Sequence, residues 1–243
     1  MTPQRPLLSR FAAAAALLAG IAPQPGAAAP ARAASPSPTA HVQLTPEAQQ
    51  LVSWVRQSRN NRDQPFAVID KRHARLYVFG ADGRLRGGAP VLLGLAKGDD
   101  TVPGIGNKPL SQVKPEERTT PAGRFAAEHG QNMRGEHVIW VDYDAAVSMH
   151  PVLTTNPKER RLERLATPTA ADNRVSYGCV NVPRAFFSEV LLKTLSTPHP
   201  VVYVLPETRP LSRTFAGFPA APAATAPRPA GAKVAMNGNS GPR

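Results

Sequence analysis

A mainly β domain with a few short helices is the fold class this sequence predicts, on three observations. From Phe66 to Leu205 short runs of Val, Ile, Tyr and Phe are separated by turn residues, the pattern of strands. Helical signals are confined to three short stretches. The remaining long segment, Ala96 to Thr120, holds Gly98, Pro103, Gly104, Gly106, Pro109 and Pro115, a density of breakers that reads as a loop. The chain has 243 residues, 42% of them hydrophobic, enough for one domain with flexible ends and tight for two.

Residues 1–34 read as a secretory signal. Arg5 and Arg10 lead a short apolar run from Phe11 to Ile21, followed by Ala-rich triplets that allow cleavage after Ala28, Ala31 or Ala33. That run is too short to span a bilayer, so no membrane span is expected after cleavage, and the chain is expected outside the cytoplasm. Residues 35–44 form a Pro/Ser/Ala-rich linker, within a segment 35–63 that continues as a helix. Thr45, Pro46 and Glu47 supply its N-cap, first-turn proline and first-turn acid, and it runs to about Arg59 with Leu51, Val52, Trp54 and Val55 facing the core.

The core domain is expected over 64–205. Strands are predicted at 66–70, 74–79 and 86–95, with Gly80–Gly83 turning the second into the third. Asp99 and Asp100 in the loop that follows read as solvated charge. Strands resume at 123–128, 137–142 and 145–150. Residues 157–166 give a charged helical turn or two with Leu162 and Leu165 inward, a second helix runs from Pro183 to about Leu195, and 201–205 is the last strand. Beyond Pro206 the Pro/Ala-rich basic tail, 206–243, is expected to be disordered.

The net charge of +12 raises the question of nucleic acid. Its distribution argues against that. Residues 1–63 carry six Arg against two acids, 64–205 carry 18 basic against 14 acidic groups, and 206–243 five against one. Most of the excess therefore lies outside the core, where it suits screened attraction to a polyanionic envelope polymer better than base recognition.

The chemistry converges on the single cysteine. An exported protein with one Cys has no internal disulfide to make, and an exposed thiol there is a liability unless it is used. Cys179 follows Gly178, whose backbone freedom permits a sharp turn that presents the next side chain and successive amides to a pocket, an arrangement suited to an oxyanion hole. A buried structural thiol is the alternative. A thiol needs a neighbouring base near neutral pH. Of six histidines, His41, His73 and His199 lie in linker or turns, His129 and His137 flank a turn, and His150 ends an apolar strand directly before Pro151. His150 is the candidate base. No His/Cys/Asp cluster at ligand spacing occurs, so no metal or organic cofactor is expected.

Ser176-Tyr-Gly-Cys-Val-Asn181 resembles the signature of L,D-transpeptidase (YkuD-like) catalytic domains, Ser/Thr-His-Gly-Cys followed by an aliphatic residue and Asn or Arg. An upstream histidine is that family's base, and His150 occupies its place. Thr120-Pro-Ala-Gly-Arg-Phe125 and the hairpin from Ile69 to Phe79 extend the resemblance over 64–205. Three departures stand out: Tyr177 for the motif histidine, Pro151 for a small residue after the base, and a longer interval from His150 to Cys179. The resemblance implies a β-sandwich-like fold whose cleft is roofed by a loop. It implies further that Cys179 attacks the carbonyl before the terminal D-alanine of a peptidoglycan tetrapeptide stem, forming a thioester passed to a stem amine, a lysine of an envelope protein, or water. Gly178, Tyr177 and Pro151 would support the nucleophile and its base; Arg174 would pair with a substrate carboxylate, and Ser176 and Asn181 would hold cleft hydrogen bonds, each with an equal structural reading. The 157–166 insertion is a substrate-selecting lid or a surface decoration. An idle wall-binding module and a cysteine amidase or peptidase are the rival functions.

Overall fold

The computed structural model describes residues 42–220. The expected signal, most of the linker with His41, and the tail beyond 220 lie outside the described residues. In chain order the elements are α1 (Pro46–Ser58), β1 (Phe66–Asp70), β2 (Arg75–Phe79), β3 (Leu85–Pro90), β4 (Leu93–Gly94), β5 (Gly123–Ala126), β6 (Glu128–Gln131), β7 (His137–Asp142) and β8 (Val147–Pro151). There follow α2 (Arg161–Ala166), β9 (Arg174–Ser176), β10 (Val180–Val182), then α3 (Arg184–Phe186) running through a π-helical stretch, Phe187–Leu192, into α4 (Lys193–Leu195). β11 (Val201–Val204) and α5 (Leu211–Thr214) complete them. No helix among the described residues is long and apolar enough to cross a membrane.

Every residue of β1 is buried, the mark of a strand covered on both faces. Its alternation assigns the layers. Ala67 and Ile69 face a second sheet, whereas Phe66 and Val68 face α1. The first sheet has the order β3-β2-β1-β11-β5 and the second β10-β8-β7-β6, with β4 and β9 forming a two-stranded ribbon. Ile139, Val141, Val147, Met149, Val180 and Val182 of the second sheet meet the first in the main core, joined by Phe186, Phe187 and Leu191 from the helical run that follows β10. The architecture is a mainly β sandwich with a helix added to its outer layer.

α1 forms where its signals place it. Thr45 caps it, Pro46 opens it, and it ends at Arg59 in the left-handed region, φ 51°. Ala48, Leu51, Val52 and Val55 bury against β1, β2 and β11. Trp54, expected in the core, sits half-buried on the rim, its indole donating to Gly217 O at 3.1 Å and packing on Phe215 and Phe218.

Several expectations need correction. The strand expected over 86–95 breaks after Pro90, which has no N–H to continue a ladder, and resumes as β4 in another sheet. The one expected over 123–128 divides at Ala127 into β5 and β6, which belong to different sheets. The 96–120 loop contains three single 3-10 turns, at Ile105–Asn107, Leu110–Gln112 and Pro115–Glu117. Leu162 is 59% exposed; Leu165 alone turns inward, onto Leu92, Val152 and Val175. Residues 206–220, assigned to a disordered tail, are ordered because Phe215 buries against α1 and Glu207 enters a buried charge network. Composition hid these few anchors.

That network also corrects Asp99, which is buried rather than solvated. Its Oδ1 accepts from Lys71 Nζ at 2.9 Å and from the Glu207 N–H, and its Oδ2 accepts the N–H groups of Thr208 and Arg209. Burial pushes the Asp99 carboxyl up, but donors from Thr208, Lys71 and the 207–208 backbone outweigh it and hold the carboxyl well below the ordinary range. Arg174 Nη2 pairs with Glu207 Oε2 at 2.6 Å. Two cations and two anions are thus neutralised together inside the protein.

Candidate active site

The site follows from strand alternation in β8 and β10. Val147 and Met149 point into the core, so Ser148 and His150 point out; Val180 and Val182 point in, so Cys179 and Asn181 point out. β8 and β10 run parallel with Met149 opposite Val180 and His150 opposite Asn181. Four polar side chains therefore share one patch of the second sheet's outer face. Ser148 Oγ is 3.8 Å from Cys179 Sγ, and the thiol donates to Ala146 O at 3.5 Å. Ala146 is itself left-handed, φ 51°, an uncommon conformation for a residue with a Cβ.

His150 Nδ1 lies 2.8 Å from Pro151 O. A carbonyl only accepts, so Nδ1 carries the proton and Nε2 is free to take another. The electrostatics of the pair are reciprocal. Burial raises the Cys179 thiol's pKa, but the hydrogen bond and charge of His150, with Ser148, more than cancel it, and the net shift is downward. Burial depresses His150, while Cys179 and Pro151 O restore and exceed that loss, and the net shift is upward. Both shifts run in the direction of a thiolate beside an imidazolium.

The turn before the cysteine is tied internally. Ser176 Oγ donates to Cys179 O at 2.6 Å and accepts the Gly178 N–H at 3.1 Å, so this hydroxyl, expected in the cleft, shapes the turn instead. Gly178 has φ 132°, and a Cβ there would stand 3.0 Å from Thr119 O. Thr120 Oγ1 donates to Gly178 O at 2.8 Å and accepts the Gly94 N–H at 2.9 Å, joining the loop's end, β4 and the cysteine turn. Arg118 stacks on the exposed Tyr177 ring, 3.9 Å from its centroid. The Gly178 N–H is spent on Ser176; the Cys179 N–H has no hydrogen-bond partner among the described residues.

Arg174 is brought elsewhere. The carboxylate it meets is the chain's own Glu207, and its second contact is Lys71 O at 2.8 Å, so it anchors the strand leading to the site. Asn181 is fully buried and its Oδ1 accepts from Arg161 of the insertion at 2.5 Å. His129 and His137 pair with each other, 2.9 Å apart on β6 and β7. Sequence reasoning did not single out Ser148, Arg118, Ala146 or Arg161, and it quoted Thr120 only as the start of a motif, without its tie to the cysteine turn. Only Ser148 carried a usable signal: two residues before His150 on a strand, it must share that face. A groove of about 790 Å³ beside α1 and residues 206–220 contains none of these residues.

No family model and no curated protein matches the chain. Solved structures similar to it are L,D-transpeptidases and a cell-shape protein. The catalytic domain of the E. faecium L,D-transpeptidase is 16% identical over 59% of this chain and 98% of that one, TM-score 0.34. The Mycobacterium smegmatis L,D-transpeptidase is 15% identical over 58% of each chain, TM-score 0.36. The helical cell shape determining protein Pgp2 of Campylobacter jejuni is 15% identical over 60% of this chain and 49% of that one, TM-score 0.40. This chain thus spans about half to three fifths of the latter two. At these TM-scores the likenesses carry no argument; the site's geometry does.

Proposed function

We propose that the chain is an exported cysteine acyltransferase that acts on peptidoglycan tetrapeptide stems through a thioester at Cys179. The observation that carries this reading is the Cys179–His150 pair, His150 on β8 and Cys179 directly before the parallel strand β10, with the imidazole fixed by Pro151 O and the acidity of each group shifted toward the other's. His150 Nε2 takes the thiol proton. The thiolate then adds to the carbonyl between the third residue and the terminal D-alanine, and the Cys179 N–H faces the developing oxyanion. Collapse expels D-alanine, whose amine takes the proton from the imidazolium. An amine of another stem, a lysine of an envelope protein, or water then attacks the thioester while His150 removes its proton.

Mass spectrometry of the purified protein and its Cys179→Ala variant, each incubated with a tetrapeptide-stem muropeptide, tests the reading. D-alanine release and an acyl adduct on Cys179, both absent from the variant, are expected. Neither turnover nor adduct would leave an idle wall-binding module, and cleavage of ordinary L-peptides without a D-centre would point to a general cysteine amidase.

A further inference from the structure

The insertion between β8 and β9 sets a guanidinium over the strand pair that carries Cys179 and His150. Arg161 opens α2, and its side chain is 12% exposed. Nε lies 2.6 Å from Glu159 Oε2 and Nη1 lies 2.5 Å from Asn181 Oδ1. Asn181 is the register partner of His150, so Arg161 is close enough for its charge to bear on the imidazole. The insertion is held in place. Leu165 packs on Leu92, Val152 and Val175, and Arg164 donates to Glu159 O at 2.7 Å and to Asp172 O at 2.8 Å.

A guanidinium has five N–H donors, and the two contacts above engage two of them. Asn181 Nδ2 is likewise without a hydrogen-bond partner among the described residues, although the residue is fully buried. Unused donors around a positive charge, beside the reacting groups, match a carboxylate in both charge and geometry. Glu159 is a carboxylate of the chain itself on that guanidinium, a contact another carboxylate can exchange with. The other arginine expected to do this work, Arg174, is committed to Glu207.

We infer that Arg161 is a specificity residue that receives the free carboxylate of the residue expelled from the scissile bond, so that the site selects stems ending one residue beyond the bond it cuts. The inference rests on the proposed function and names the substrate end that function requires. One residue spans about 3.5 Å, so a carboxylate one residue past the attacked carbonyl is within reach of groups that border the Cys179–His150 pair.

The test is calorimetric titration of the Cys179→Ala protein with a tetrapeptide stem ending in a free carboxylate and with the same peptide ending in an amide. The carboxylate form should bind about tenfold tighter or more, the worth of a charged hydrogen-bonded pair. Arg161→Gln should erase that preference by weakening the acid alone, Arg161→Lys should restore part of it, and Glu159→Gln, which removes the competing carboxylate, should tighten the acid several-fold. Equal binding of the two peptides, or equal weakening of both by Arg161→Gln at an unchanged melting temperature, would overturn the inference. If Arg161→Gln lowers the melting temperature, Glu159→Gln decides, and no gain for the acid counts against it. A preference for the acid without turnover by the Cys179 protein would uphold Arg161 and overturn the acyl transfer; binding of neither peptide would overturn both.

Discussion

The imidazole of His150 has its Nδ1–H fixed by Pro151 O and its other nitrogen free for the thiol. Because this neighbour draws the Cys179 pKa below its ordinary value, alkylation by iodoacetamide should reach half its maximal rate at lower pH than for a free cysteine. Replacing His150 with Ala removes the acidifying partner and leaves burial, which acts in the opposite direction. The alkylation profile should then move to higher pH, with the neutral-pH rate falling about tenfold per unit of upward shift. Gly178→Ala tests the turn: a side chain at φ 132° with Thr119 O at 3.0 Å should cost about 1–3 kcal/mol of stability, measurable by urea unfolding, and displace the nucleophile. At this scale the sequence exposed Cys179, Gly178, His150 and Pro151, which stand at breaks in strand patterns. Ser148 was missed, although strand periodicity places it on the face of His150. The role of Thr120, present only as the first residue of a motif, was not legible, and neither was Arg161, because each meets the site across a fold contact that no local pattern records.

Among the elements, the 96–120 loop ends by stitching the cysteine turn to β4 through one hydroxyl. Thr120→Val keeps the shape and strands a buried Gly94 N–H and the Gly178 carbonyl. The expected loss is about 1–3 kcal/mol by denaturant melting, with a larger proportional fall in kcat than in 1/KM, since the turn positions the nucleophile more than it binds substrate. Runs of five or six residues rich in β-branched and aromatic side chains, β1, β2 and β7, were legible. β9 and β10 were not, since three residues are too few to show a period, and their pairing is set by neighbours remote in sequence. β5 and β6 read as one run because a single residue, Ala127, separates strands of different sheets.

For the molecule as a whole, Lys71, Asp99, Arg174 and Glu207 join the β1–β2 turn, the long loop, β9 and residues 206–220. Removing one partner leaves a buried charge uncompensated, so Asp99→Asn should cost about 3–5 kcal/mol, read by thermal melting. Asp99 is held below its unfolded value of about 3.9, so its stabilisation is complete above that pH and is lost as pH falls further. The melting temperature should therefore fall as pH drops below about 4 and go on falling past the ordinary carboxylate range, and Asp99→Asn should flatten that fall. The sequence concealed this network because acids in a Gly/Pro-rich loop and a tail poor in apolar residues each look solvated alone.

The parallel pairing of β1 with β11 gives the protein a temporal property. These strands come from opposite ends of the domain, so the first sheet cannot close until the last strand has been made. Such non-local topologies fold in roughly milliseconds to seconds, after synthesis rather than during it. The thiol's acidity depends on β8 and β10 lying together over that closed sheet. A nascent chain therefore carries an ordinary, sluggish cysteine, and reactivity switches on only when folding is complete.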